Sequence, residues 1–168
     1  MNWLEKYRKK IEDMKMLEKI VTVSCEEIQI LKSKFSGNKD VKEIRLPRTI
    51  LYIDKTAFRD CTSLEKINLP PNVCYIHEET FKGCIALKEI VAQNPVPPKC
   101  VVDVKSFLFD EVLDAVFTPT ISSNFGKKEG NFFEGVDKKK CIIRVPKGSV
   151  ELYKEAKEWK EFENIVEI

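Results

Sequence analysis

VKEIRLPRTILYIDKTAFRDCTS, residues 41–63, runs without a gap into LEKINLPPNVCYIHEETFKGCIA, residues 64–86, and LKEIVAQNP, residues 87–95, begins the same phrase again. The period is 23 residues: Ile44 recurs as Ile67 and Ile90, Leu46 as Leu69, Pro47 as Pro70, Ile53 as Ile76, Phe58 as Phe81 and Cys61 as Cys84. Apolar residues three apart do not follow one face of a helix, and strict alternation is confined to the I-x-L step. A chain that turns inward every third residue, with one short strand per coil, satisfies both facts. One such coil cannot bury its inward side chains alone, so coils must stack and a solenoid follows.

The pattern reaches upstream, where Phe35-x-x-Asn38-x-x-Val41-x-x-Ile44 repeats Phe58-x-x-Cys61-x-x-Leu64-x-x-Ile67 with Asn in the place of Cys. The I-x-L-P, A-F-x-x-C and L-x-x-I elements over Ile44 to Ile67, and again over Ile67 to Ile90, resemble the BspA-like leucine-rich repeat family. The closing VPKGSVELYKEAKEWKEFENI, residues 145–165, is similar to the terminal segment of bacterial members. Together the resemblance covers residues 35–98 and 132–168. It implies an α/β repeat fold: one leucine-rich-repeat domain over residues 1–168, a solenoid of about five to six coils with mostly short parallel strands, capped by an N-terminal and a C-terminal helix. It implies further that the Asn38, Cys61 and Cys84 position points inward at a turn and bonds to backbone groups of adjacent coils. Relatives are commonly secreted or surface-attached.

In chain order, residues 2–19 read as an amphipathic helix. Leu4, Tyr7, Ile11, Met14 and Glu18 lie on one stripe, and the helix (segment 1–19) serves as an N-terminal cap. Residues 20–98 are the regular coils, with Val21 and Val23 supplying the first strand. The prolines of QNPVPPKC, residues 93–100, make a rigid turn. Residues 99–131 are a degenerate coil or an insertion. Phe107-x-x-Asp110-x-x-Leu113-x-x-Val116 fits the template and would put a strand at 115–118; an inserted loop or a short helix over 110–117 fits the short apolar run equally well. GKKEGN, residues 126–131, is a surface turn. Residues 132–168 supply the last coil and its cap. Ile143 and Val145 point inward, and Ser149 can N-cap a helix over 150–162 whose apolar stripe is Leu152, Tyr153, Ala156, Trp159 and Phe162. Ile165 and Ile168 tuck in behind it.

Composition narrows the function classes. With 29 basic and 27 acidic side chains and a net charge of +2, nothing drives the chain toward nucleic acid. No apolar run approaches the roughly 18 residues of a bilayer span, so no membrane insertion is expected; the chain is read as a monomer. The first twenty residues lack the continuous apolar stretch of a signal peptide, which leaves the location open. Cys61 and Cys84 read as free buried thiols, whereas a Cys100–Cys141 disulfide stays open. The single histidine, His77, reads as a surface residue on an outward turn, and no C-x-x-C, H-E-x-x-H, G-x-x-x-x-G-K or G-x-G-x-x-G occurs. No catalytic residue, metal ligand or cofactor is therefore assigned. Lys138, Lys139 and Lys140 read as a solvated turn. The candidate site is the strand face. Thr22, Arg45, Asn68 and Val91 form one row between the inward positions. Ile20, Glu43, Lys66 and Glu89 form another, and its last three side chains alternate in charge. The function expected is a non-catalytic module that binds a protein or glycan with this face; the alternative is a structural spacer or a piece of a larger surface protein.

Overall fold

The structure, a computed structural model, describes residues 19–101 and 131–168. The helix expected over 2–19, the coil expected within 99–131 with its strand at 115–118, and nearly all of the 126–131 turn lie outside the described residues.

In chain order the strands are β1 (Ile20–Thr22), β2 (Gln29–Ile30), β3 (Glu43–Arg45), β4 (Tyr52–Ile53), β5 (Lys66–Leu69), β6 (Tyr75–His77), β7 (Glu89–Ala92), β8 (Lys99–Val101), β9 (Ile142–Val145) and β10 (Asn164–Glu167). They form a parallel solenoid of about five turns with two sheets, a six-stranded one ordered β1-β3-β5-β7-β9-β10 and a four-stranded one ordered β2-β4-β6-β8. The 23-residue period becomes the register itself, with Val21 beside Ile44, Ile44 beside Ile67 and Ile67 beside Ile90.

Two expectations are corrected. One strand per coil was read from the sequence, but each regular coil carries a second, at the Tyr-Ile steps that supply β4 and β6. Those strands pair over only two or three residues, too few for alternation to register as a pattern. The reading of a strand at 115–118 also places another strand between those of Ile90 and Ile143. β7 pairs directly with β9, Ile90 beside Ile143, and the outermost strand is β10, with Ile165 beside Ile143.

The interior is a set of columns. The rings of Phe35, Phe58, Phe81 and Phe133 stack with centroids 5.7, 5.4 and 5.5 Å apart, so the column is continuous although Phe133 stands 52 positions after Phe81. Phe81 N–H donates to Phe132 O at 3.0 Å and Gly83 N–H to Glu134 O at 2.7 Å, which locks the FFEGV segment onto the preceding coil. Beside the rings, the Cys61 thiol donates to Phe35 O at 3.0 Å and the Cys84 thiol to Phe58 O at 3.1 Å. Asn38 differs: its carbonyl accepts from Asp40 and Val41 N–H within its own turn. Burial raises the Cys61 thiol to about 11 and the Cys141 thiol to about 12. All six cysteines are free, which removes the Cys100–Cys141 bridge.

The turns after the second sheet repeat one backbone device. Gly37, Asp60, Gly83 and Gly135 all take positive φ, between 57° and 87°. In that conformation the N–H of Gly37 reaches Arg59 O, that of Asp60 reaches Lys82 O, and that of Gly83 reaches Glu134 O, each at 2.7 Å. The turn therefore aims an amide at the next coil. A Cβ on Gly37 would meet nothing within 4 Å, whereas one on Gly83 would come within 2.1 Å of Asp60 Oδ1 and 3.3 Å of its Cα. Gly37→Ala is expected to cost about 1–2 kcal/mol, the left-handed penalty alone. Gly83→Ala should cost distinctly more, and urea unfolding midpoints rank the two.

The C-terminal segment departs from the expected long helix. It forms α1 (Val150–Glu155), then a single 3-10 turn at Trp159–Glu161, then β10. Ser149 precedes α1 without a side-chain capping bond. Leu152 and Ile168 are exposed, whereas Tyr153, Trp159, Phe162 and Ile165 are buried. The physical reason lies at the chain reversal. Ala156 leaves the helix with extended backbone and Glu158 takes φ 68°, which sets both Trp159 and Phe162 edge-on against Phe133 and returns the chain to pair with β9.

Candidate functional site

In a strand, successive side chains point to opposite faces, so the residues flanking each inward isoleucine stand on the outer surface of the six-stranded sheet. Register lines them up as Ile20, Glu43, Lys66, Glu89, Ile142 and Asn164 in one row, and Thr22, Arg45, Asn68, Val91, Arg144 and Val166 in the other. Adjacent members are about 4.8 Å apart, the spacing of paired strands. All seven residues picked from the sequence thus fall on one surface, Thr22, Arg45, Asn68 and Val91 in one line and Glu43, Lys66 and Glu89 in the other. Ile142, Arg144, Asn164 and Val166 continue the rows. The alternation in CIIRVP marks Ile142 and Arg144 as outward, but placing a strand at 115–118 separated them from Val91 and Glu89.

The charges are largely satisfied by one another. Lys66 Nζ lies 2.7 Å from Glu89, which also pairs with Arg144, so this carboxylate joins three adjacent strands. Those two cations, Lys66 foremost, hold Glu89 below the usual carboxylate range. Glu43 pairs within its own strand, with Arg45 at 2.7 Å. Along the flank, Glu65 bridges Lys42 and Lys88, both at 2.8 Å, and Lys42 and then Lys88 bring its pKa down to about 2. Asn68 spends its amide on backbone: its Nδ2 donates to Leu46 O at 3.0 Å and its Oδ1 accepts from Leu46 N–H at 2.9 Å. It closes the end of β3 rather than facing a ligand freely.

A carboxylate whose folded pKa lies below its unfolded value stabilises above the unfolded value, about 4.3 for Glu. That contribution is lost as the pH falls through the folded value, toward about 2 for Glu65. Unfolding midpoints should therefore fall between pH 5.5 and 3. The fall should be shallower in Glu65→Gln, and shallower in about 1 M salt because these pairs are exposed and screened.

The other sequence candidates resolve differently. His77 is buried in β6 rather than on an outward turn, because the second strand of its coil runs through it. Its Nδ1 accepts the Glu78 N–H at 2.8 Å and its ring meets the edge of Tyr52 at 6.5 Å. Lys138 pairs with Glu161, and Lys140 with Asp137 at 3.0 Å, so the lysine run is tied into the last turn. Among the described residues no group of three or more His, Cys, Asp and Glu side chains is arranged to hold a metal ion, and no helix is long and apolar enough to cross a membrane.

Residues 12–140 match the sequence model of the BspA type leucine rich repeat region, in six copies. No curated protein matches the chain.

Proposed function

The chain belongs to the BspA-type leucine-rich-repeat family, and from that premise we propose that it is a non-catalytic binding module that presents the outer face of its six-stranded sheet to a partner. The observation that carries this reading is the register: two unbroken rows of outward side chains cross all six strands of the larger sheet. Arg45, Lys66, Val91, Ile142 and Arg144 form the centre of the contact, with Glu43, Glu89 and Asn68 holding it in shape and Thr22 at its edge. Neither row contains an aromatic ring that could serve as a flat apolar platform, which favours a polypeptide over a glycan. The reading of Arg45 and Lys66 as contact residues is tested by capture of partners from the native source, with Arg45→Glu/Lys66→Glu against the parent chain. Loss of the captured protein with an unchanged unfolding midpoint is the expected outcome; capture at the parent level removes this face from consideration.

The mutual pairing of Lys66, Glu89 and Arg144 favours the second reading, a spacer whose surface charges serve only to tie coils together. Under that reading no partner is retained by the parent chain.

A further inference from the structure

The charged groups on the outer side of the six-stranded sheet do not lie at one depth. Glu89 is held between Lys66 and Arg144, Glu65 between Lys42 and Lys88, and Glu43 beside Arg45. In each group the carboxylate is the deeper member. The Glu89 side chain is 21% exposed against 43% for Lys66 and 42% for Arg144, and Glu43 is 25% exposed against 57% for Arg45. Glu65 follows the same order against Lys42 and Lys88. Lys42, Arg45, Lys66, Lys88 and Arg144 thus share three carboxylates and stand outside them, so a body approaching this face meets positive charge first. Arg144 also has an apolar surround. Register sets Val91 on one side of it and Val166 on the other, Ile142 precedes it on the same face of β9, and none of the three is buried.

We propose, resting on the reading of this face as a contact surface, that its partner is an acidic polypeptide that sets a carboxylate against Lys66 and Arg144 and an apolar side chain against Val91, Ile142 and Val166. The incoming carboxylate meets two cations that divide one charge between them, so it is attracted without displacing Glu89. The apolar side chains beside it add burial that a bare polyanion cannot use. A single-stranded nucleic acid would bring the negative charge, but it binds by stacking its bases on aromatic side chains, and neither outward row holds one.

Fluorescence anisotropy of a labelled peptide of Glu and Leu, titrated with the full chain, tests this, with a Lys and Leu counterpart and a single-stranded oligonucleotide as controls. The Glu–Leu peptide is expected to bind and its counterpart not. Affinity should fall about fivefold or more in Lys66→Ala/Arg144→Ala, the effect of losing two exposed ion pairs, and should fall as well in about 1 M salt. Glu89→Gln should tighten binding about twofold or more, because it frees both cations. Glu78→Gln, the same change of charge beside the other sheet, should leave it unchanged. No binding by the parent chain, undiminished binding by Lys66→Ala/Arg144→Ala, or equal tightening by Glu78→Gln overturns the proposal. An oligonucleotide bound as tightly as the peptide overturns it too, and assigns the face to nucleic acid. A captured partner that depends on Arg45 and Lys66 yet is not displaced by the Glu–Leu peptide overturns the acidic class alone and leaves the face a contact surface. Capture unchanged in Arg45→Glu/Lys66→Glu removes the face itself.

Discussion

Trp159→Ala is expected to destabilise the protein by about 3–5 kcal/mol, the range for truncating a fully buried large aromatic. The ring is 0% exposed and closes the end of the stack, edge-on to Phe133 at 5.4 Å and to Tyr153 at 5.3 Å. Its Nε1–H donates to Pro98 O at 3.0 Å, and Tyr153 OH donates to Asn94 O at 2.8 Å, so two aromatic side chains staple the terminal segment to the proline-rich turn. Trp159→Phe separates the two contributions: it keeps most of the apolar contact and loses the hydrogen bond, for about 1–3 kcal/mol because the buried Pro98 carbonyl is left unpaired. Urea unfolding measures both. A cost below about 1 kcal/mol for the alanine variant would mean that the end of the solenoid is not sealed by this residue.

Phe81→Ala is the second large effect, again about 3–5 kcal/mol. Phe81 lies between Phe58 at 5.4 Å and Phe133 at 5.5 Å, so truncation leaves a void bounded by rings on two sides. Phe35 heads the same column, is only partly buried and has a described ring neighbour on one side alone, Phe58 at 5.7 Å. Phe35→Ala should therefore cost about half as much or less, since the site can collapse or fill with water. Equal costs at the two positions would contradict a column that runs through the molecule.

The parts of the fold that were legible in the sequence are those that repeat. Ile44, Ile67 and Ile90, with Phe58 and Phe81, announce the stack because each coil solves the same burial problem with the same residues. The outward rows follow from the same positions by alternation. What was not legible has local causes. The second sheet pairs over two or three residues at Tyr52–Ile53 and Tyr75–His77, and that hid both the sheet and the burial of His77. The long helix expected over 150–162 has a 3.6-residue stripe from Leu152 to Phe162, but tertiary packing onto Phe133 and the pairing of β10 outweigh that local preference. The β7–β9 junction skips about fifty positions, and the template-like spacing of Phe107, Asp110, Leu113 and Val116 within that gap pointed to a strand between those of Ile90 and Ile143.

That junction is also where the account is most exposed. Nuclear Overhauser contacts between backbone protons of neighbouring strands test it directly. Ile90 and Val91 should show contacts to Ile143 and Arg144 as strong as those between Ile67 and Asn68 and their partners Ile90 and Val91. Contacts from Ile90 and Val91 to residues 115–118 instead, with Ile143 one strand further away, would contradict it.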